Sequence, residues 1–422
     1  MHNLSAIKFL INDKFCTMNK MLLTVLSVVV LDAAGTGLVM PILPELLQSV
    51  AHTPELGWRF GAFLSLYAAL QFLASPILGT LSDVYGRRPV LLVSLAGGMI
   101  DYAFMALAPG FWWLFLGRAF AGLTAANAAV AAACLTDIMP EERRARAFGL
   151  LSACFGIGFI LGPVIGGMLG TISLRAPFIA AALLVMANFI IALIVLPETR
   201  TAKPERIDPA AFHPLAPLRW IGAFPALLPL LVLSIILSIV GEVGGTIWVL
   251  YGQDKFGWDT ATVGLSLAGF GFFHALAQAF VAGPLSERWG ERFALIVAIV
   301  CDSAAYIAIA FATRGFVAFL LFPLFCLGGI GQPALLSLMT KRVGADEQGR
   351  LQGVLTSLAS LASMVAPLAI SEIYFASRHV FPGLVWVLGA FLYLLCMPVL
   401  FAHRRQAYEP PGGVKCRQGE QP

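Results

Sequence analysis

The sequence predicts an all-α integral membrane protein with twelve transmembrane helices in two pseudo-symmetric six-helix halves. Three observations carry this. The 422 residues are 59% hydrophobic and only 12% charged, with a mean hydropathy of +0.86. A soluble domain holds about 25% charged residues, so lipid must meet most of this surface. Twelve apolar stretches reach the length of about 20 residues that crosses a bilayer. Finally, one link occurs twice: residues 79–92 read GTLSDVYGRRPVLL and residues 283–296 read GPLSERWGERFALI. Gly79, Leu81, Ser82, Gly86, Arg88 and Leu91 recur 204 residues later as Gly283, Leu285, Ser286, Gly290, Arg292 and Leu295, and Asp83 recurs as Glu287.

The elements follow in order. Residues 1–17 are a polar, basic extension with Lys8 and Lys14, expected to be disordered or to lie upstream of a natural start at Met18. No small-residue cleavage site follows a short apolar core, so a cleaved signal is not expected. The N-terminal half, 18–197, carries spans at 21–45, 60–81, 90–108, 112–136, 147–170 and 176–196. The link at 198–222 holds Pro204, Pro209, Pro214 and Pro217 among charges and reads as a tether. The C-terminal half, 223–402, carries spans at 224–250, 262–286, 293–312, 316–340, 350–374 and 382–402, and a tail closes the chain at 403–422. The span lengths and the lack of strict alternation select helices over a barrel.

Lysine and arginine set the expected orientation. Of 27, only Arg59, Arg175, Lys255, Arg314 and Arg378 fall on one side, Arg118 lies within a span, and the remaining 21 share the other side. Both termini are therefore expected in the cytoplasm, on the basic side. A duplicated bundle with matching links on one side is how secondary transporters are built, with alternating access around a central site. No G-x-x-x-x-G-K-[ST] occurs, so ATP hydrolysis through a P-loop is excluded, and neither H-E-x-x-H nor G-x-S-x-G is present. The seven cysteines show no C-x-x-C spacing and read as apolar fillers. An enzyme is not expected.

Four acids lie inside spans: Asp32, Asp101, Glu242 and Asp302. A charge at the membrane centre costs at least about 3 kcal/mol on insertion scales, so these acids need a reason. A carboxyl in an apolar setting can serve as a proton acceptor, or it can pair structurally, for example with Arg118. His274 is also intramembrane, and Gln71 and Asn127 can bond either a substrate or a neighbouring helix. Asp83, Arg87 and Arg88 can form charged locks at helix ends, with Asp137 as a partner if its helix is adjacent. Gly158, Gly162, Gly166 and Gly170, spaced by four beside Pro163, form a stripe for close helix packing.

G-x-L-S-D-x-x-G-R-R-P at 79–89 resembles the cytoplasmic signature of the major facilitator superfamily, and GIGFILGPVIGG at 156–167 resembles its antiporter signature. LDAAGTGLVMPILPELL (31–47), GRRPVLLVSLAGGMIDYA (86–103), HALAQAFVAG (274–283), CDSAAY (301–306) and GGIGQPAL (328–335) resemble the tetracycline–proton antiporters of Gram-negative bacteria. The resemblance runs from Met18 to about residue 400. It implies that Asp32 and Gln71 line the drug path, that Asp101 is needed for transport, and that Asp302 and His274 couple protons. It also implies that Asp83, Arg87 and Arg88 are gating charges with Arg118 and Asp137 as neighbours.

The implied activity is export of tetracycline as a divalent metal chelate in exchange for a proton. Mg2+ or a similar ion then enters only with the substrate, and no permanently bound cofactor or nucleic-acid partner is expected. The setting is a bacterial inner membrane, and a monomer suffices. Three places depart from the pattern: Thr36, GLTAANA at 122–128, and Glu242 followed by Val243 and Gly244 where the resemblance implies glutamine and a proline. Glu242 and Asn127 motivate the alternative, efflux of a different drug or small metabolite by the same fold.

Overall fold

No glycine or proline interrupts residues 2–34, and helix α1 runs unbroken from His2 to Val39. The structure, a computed structural model, describes residues 2–200, 213–223, 227–344 and 347–402. α1 thus takes in residues 2–17 ahead of the first apolar span. The centre of the 198–222 tether and the 403–422 tail lie outside the described residues.

The first half continues with a short α2 (Leu43–Ala51), then α3 (Trp58–Tyr85) and α4 (Arg87–Leu107). The stretch 112–136, expected to be one helix, is split into α5 (Phe111–Thr124) and α6 (Asn127–Ile138). α7 (Glu141–Ile172) and α8 (Ala176–Val195) complete it. The second half begins with α9 (Leu228–Phe256) and α10 (Thr260–Ala277), which passes through a π-helical turn into α11 (Gly283–Trp289). α12 (Glu291–Phe311) follows. The tenth span is in three pieces, α13 (Phe316–Leu320), α14 (Phe322–Gly328) and α15 (Gly331–Thr340). α16 (Gln348–Ser377) and α17 (Leu384–Ala402) end the bundle. Among the described residues, eleven spans are long and apolar enough to cross a membrane. The twelfth, α17, has 19 residues, about 28 Å at 1.5 Å per residue. No β-strand occurs among the described residues.

The repeated links fold alike. Gly86 (φ 107°) precedes α4 and Gly290 (φ 83°) precedes α12, a left-handed turn that a side chain resists. Arg87 pairs with Asp137 at 3.1 Å, and 204 residues later Glu291 pairs with Lys341. The same bridge is thus built twice with its charges exchanged.

The halves meet along two seams, α7 against α10 and α3 against α16. The internal repeat interchanges these seams, because the second span corresponds to the eighth and the fifth to the eleventh. A Cβ on Gly162 would lie 2.8 Å from the Cα of Gly37, so the glycine stripe seats α7 on α1. Its next face meets α10, where a Cβ on Gly167 would lie 3.2 Å from the Cα of Gly264. Polar contacts between the halves are at the end opposite the basic links. Arg378 reaches Glu55 at 2.6 Å, Gln253 donates to Glu45 at 2.7 Å, and Ser371 donates to the Gly57 carbonyl at 2.7 Å. Toward the basic end the helices separate: Gly79, Gly149, Gly283 and Gly349 face open space. The bundle is closed at one end and open at the basic end. Apolar side chains such as Leu107, Trp112, Ile172 and Ile194 are exposed outward, as lipid-facing helices require.

Candidate functional site

Separation of the halves leaves a cavity of about 940 Å³ between them. Its size falls within the range of about 300–1,000 Å³ typical of small-molecule sites. Asp32, Gln71, Asp101 and Asn127 line it from the first half, and Glu242, His274 and Asp302 from the second. All seven residues singled out for a substrate or proton path therefore face one space.

Each acid has its own partner. Asp32 accepts a 2.7 Å hydrogen bond from Asn127 Nδ2. The split in the fourth span makes this possible. The Ala126 amide leaves the helix and donates to Ser94 Oγ at 2.9 Å, and Asn127 opens α6 facing α1. The sequence has no glycine or proline at residues 125–126 to announce the break. Asn127 thus bonds a neighbouring helix, one of its two readings, while still lining the cavity.

Asp101 is 3% exposed, and its Oδ2 lies 3.5 Å from Arg118. Gly117 permits the approach: a Cβ there would sit 2.7 Å from the Cβ of Phe104. The guanidinium also lies 4.8 Å from the Phe63 ring centre and 5.5 Å from that of Tyr67. Arg118 is therefore not a neighbour of the Asp83–Arg87 cluster, which corrects the role expected for it. It is the eighth residue of α5, about 10 Å from that helix's start at the opposite end, too deep to reach the basic links.

In the second half, Tyr393 donates to Asp302 at 2.7 Å and Ser363 donates to Glu242 at 2.5 Å. The broken tenth span brings two glycines against the other key groups. A Cβ on Gly328 would lie 2.5 Å from Asp302 Cγ, and one on Gly329 would lie 2.6 Å from His274 Cε1. His274 stacks on Phe270 at 5.8 Å, and Gln278 ties down the Gly329 carbonyl at 3.0 Å. Among the described residues, no three His, Cys, Asp or Glu side chains converge as a metal cage.

The charged cluster at the basic end lies apart from the cavity. Arg87 is 2.8 Å from Asp83, 3.1 Å from Asp137 and 2.7 Å from Ser82 Oγ. Arg88 donates to the Leu193 carbonyl at 2.6 Å, on the last turn of α8. These contacts join the helices of the first half to one another and not to the second. Glu198, which the sequence did not single out, accepts from the amides of Arg87 and Arg88 at 2.8 and 3.2 Å. Tyr393, Ser363, Ser94 and the Glu55–Arg378 contact also lacked a signal, since each is defined by a distant partner. The exchanged pair of Glu291 and Lys341 was also not singled out, although the 204-residue offset from Arg87 and Asp137 is a signal that points to it.

The profile of the Major Facilitator Superfamily matches residues 25–367 and, again, 231–415, the second match restarting in the second half. The chain is 47% identical over 382 residues to the class C tetracycline resistance protein of Escherichia coli, covering 90% of this chain and 96% of that one. It is 48% identical over 380 residues to the class G tetracycline resistance protein of Vibrio anguillarum, covering 89% and 95%. The crystal structure of the nucleoside transporter NupG superposes with a TM-score of 0.76 at 14% identity, covering 91% of this chain and all of that one, a likeness of fold. With its duplicated six-helix halves and central acidic cavity, the chain belongs to the major facilitator superfamily and, within it, to the family of the tetracycline resistance proteins.

Proposed function

We propose that this protein is a proton-coupled antiporter that exports tetracycline, as a chelate with a divalent cation such as Mg2+, in exchange for a proton. The observation that carries the reading is the cavity between the halves, which presents four carboxylates and one arginine to a space the size of a drug. A metal–tetracycline chelate is a monocation. A carboxylate attracts it, and protonation of that carboxylate releases it, so drug and proton compete for the same negative charge. Relatives named for tetracycline resistance support the choice of drug.

The basic end is the cytoplasmic end, since lysine and arginine favour that side, and the membrane is the bacterial inner membrane. The cavity, open there, receives the drug from the cytoplasm. Rocking of the halves along the α7–α10 and α3–α16 seams then exposes it to the other side. Asp302, held by Tyr393, accepts the incoming proton. Asp101, held by Arg118, orients that arginine and the aromatic rings it covers. Asp32 meets the cationic substrate with Asn127 fixing its carboxylate. One chain lines the whole cavity, so a monomer is sufficient, and the protein is a secondary transporter and not an enzyme.

Expression in a tetracycline-sensitive bacterium tests this. The protein should raise the tolerated drug concentration and lower its steady-state accumulation, and a protonophore should abolish both effects. Asp302→Asn should abolish them too. Normal resistance from inserted Asp302→Asn protein would remove the proton role assigned to that residue.

A further inference from the structure

We propose that Glu242, with the bare glycine face beside it on α9, forms a second cation subsite. It takes tetracycline chelates that carry one additional alkylammonium group. The proposal rests on the tetracycline reading above and adds a substrate class to it.

The first argument is charge. Arg118 is the one lysine or arginine among the described residues lining the cavity, and it is committed to Asp101. In the mechanism above, Asp302 exchanges the proton and Asp32 meets the monocationic chelate. Glu242 remains. Its only described partner is the Ser363 hydroxyl on Oε1, which orients the carboxylate without neutralising it and leaves Oε2 for the cavity. A carboxylate at membrane depth without a counter-charge is costly, and a cationic group on the substrate supplies one.

Space is the second argument, and it is independent of charge. Gly241, Gly244 and Gly245 flank Glu242 on α9 and line the same cavity. An added Cβ on any of them would meet no atom within 4 Å. These glycines are not needed for close helix packing, unlike Gly162 or Gly167. They leave a recess along one helix turn, next to the carboxylate, that a substituent can fill. The position and the charge together fit a side chain ending in an ammonium group.

Everted membrane vesicles containing the full-length protein, energised by a proton gradient in Mg2+, provide the test. Three probes are compared: tetracycline, an aminoalkyl-substituted tetracycline, and the same compound acylated on its amine to remove the charge. The readout is the KM of each derivative divided by that of tetracycline, whichever way the parent value itself moves. Glu242→Gln should raise the ratio for the amine about tenfold, the loss expected when a charge-assisted contact becomes a neutral one. It should leave the ratio for the acylated compound unchanged. Gly245→Val should raise both ratios, because it fills the recess without altering charge, and it keeps the idea testable if Glu242→Gln fails to insert. An unchanged amine ratio in Glu242→Gln, or an equal change for the acylated compound, would overturn the subsite alone. Failure of the unaltered protein to accumulate tetracycline itself would overturn the transport reading and the subsite with it.

Discussion

Replacing Arg378 by alanine should shift the protein toward a state open at the end opposite the basic links. The Arg378 side chain is 8% exposed and reaches Glu55 at 2.6 Å in the other half. It is anchored by Asp254 at 3.2 Å in its own half, and Tyr374 donates to the same Asp254 oxygen at 2.8 Å. Of the Arg378 contacts, only the Glu55 arm and a 3.4 Å contact to the Pro54 carbonyl cross the seam, where His379 also meets Glu55 at 3.0 Å. A shielded hydrogen bond to a charged group contributes about 1.5–3 kcal/mol. Glu55 is 50% exposed, which lowers the crossing contribution to about 1 kcal/mol. Losing it should change the ratio of the two states about fivefold. Spin labels at His52→Cys and Val380→Cys, both exposed sites on opposite halves, report the separation by dipolar spectroscopy once the native cysteines are replaced. Arg378→Ala should move population toward the longer distance. An unchanged distance distribution would show that the α7–α10 and α3–α16 packing closes this end without help from the ion pair.

The same labels should respond to acid. Hydrogen bonds from His379 and Arg378 hold the Glu55 carboxyl below its ordinary value. A depressed carboxylate contributes fully above its ordinary value of about 4.3 and loses that contribution as pH falls through the lower one. The distance distribution should therefore shift toward the open end as pH falls below about 4; Glu55→Gln should lose that response. The two exchanged ion pairs should differ in strength. Arg87 and Asp137 are 9% and 19% exposed, whereas Lys341 is 63% exposed. Double-mutant cycles on thermal stability in detergent should give about 2 kcal/mol for Arg87–Asp137 and under about 1 kcal/mol for Glu291–Lys341. Equal couplings would mean that burial does not set the difference.

The architecture was legible because its signals are coarse. An apolar stretch long enough to span a bilayer has few alternatives to a helix, and a link repeated at a fixed offset declares a duplicated bundle. The acids were legible for a related reason: a charge that lipid penalises stands out in any apolar span. What the sequence hid depends on partners far away in the chain. The break before Asn127 is made by Ser94 capturing the Ala126 amide, and no local residue marks it. Arg118 was placed beside the Asp83–Arg87 cluster by resemblance, whereas its place inside a span already allowed the pairing with an intramembrane acid that the structure shows at Asp101. Glu55 and Arg378 lie 323 residues apart in short loops and meet only because α3 packs on α16.

The central claim is exchange of a metal–tetracycline chelate for a proton through the cavity between the halves. Its most direct test is tetracycline uptake by everted vesicles under an imposed proton gradient, with and without magnesium. The account predicts accumulation that requires both the gradient and the metal. Absence of accumulation in vesicles shown to contain the inserted protein would contradict the drug assignment, and accumulation indifferent to magnesium would contradict the chelate.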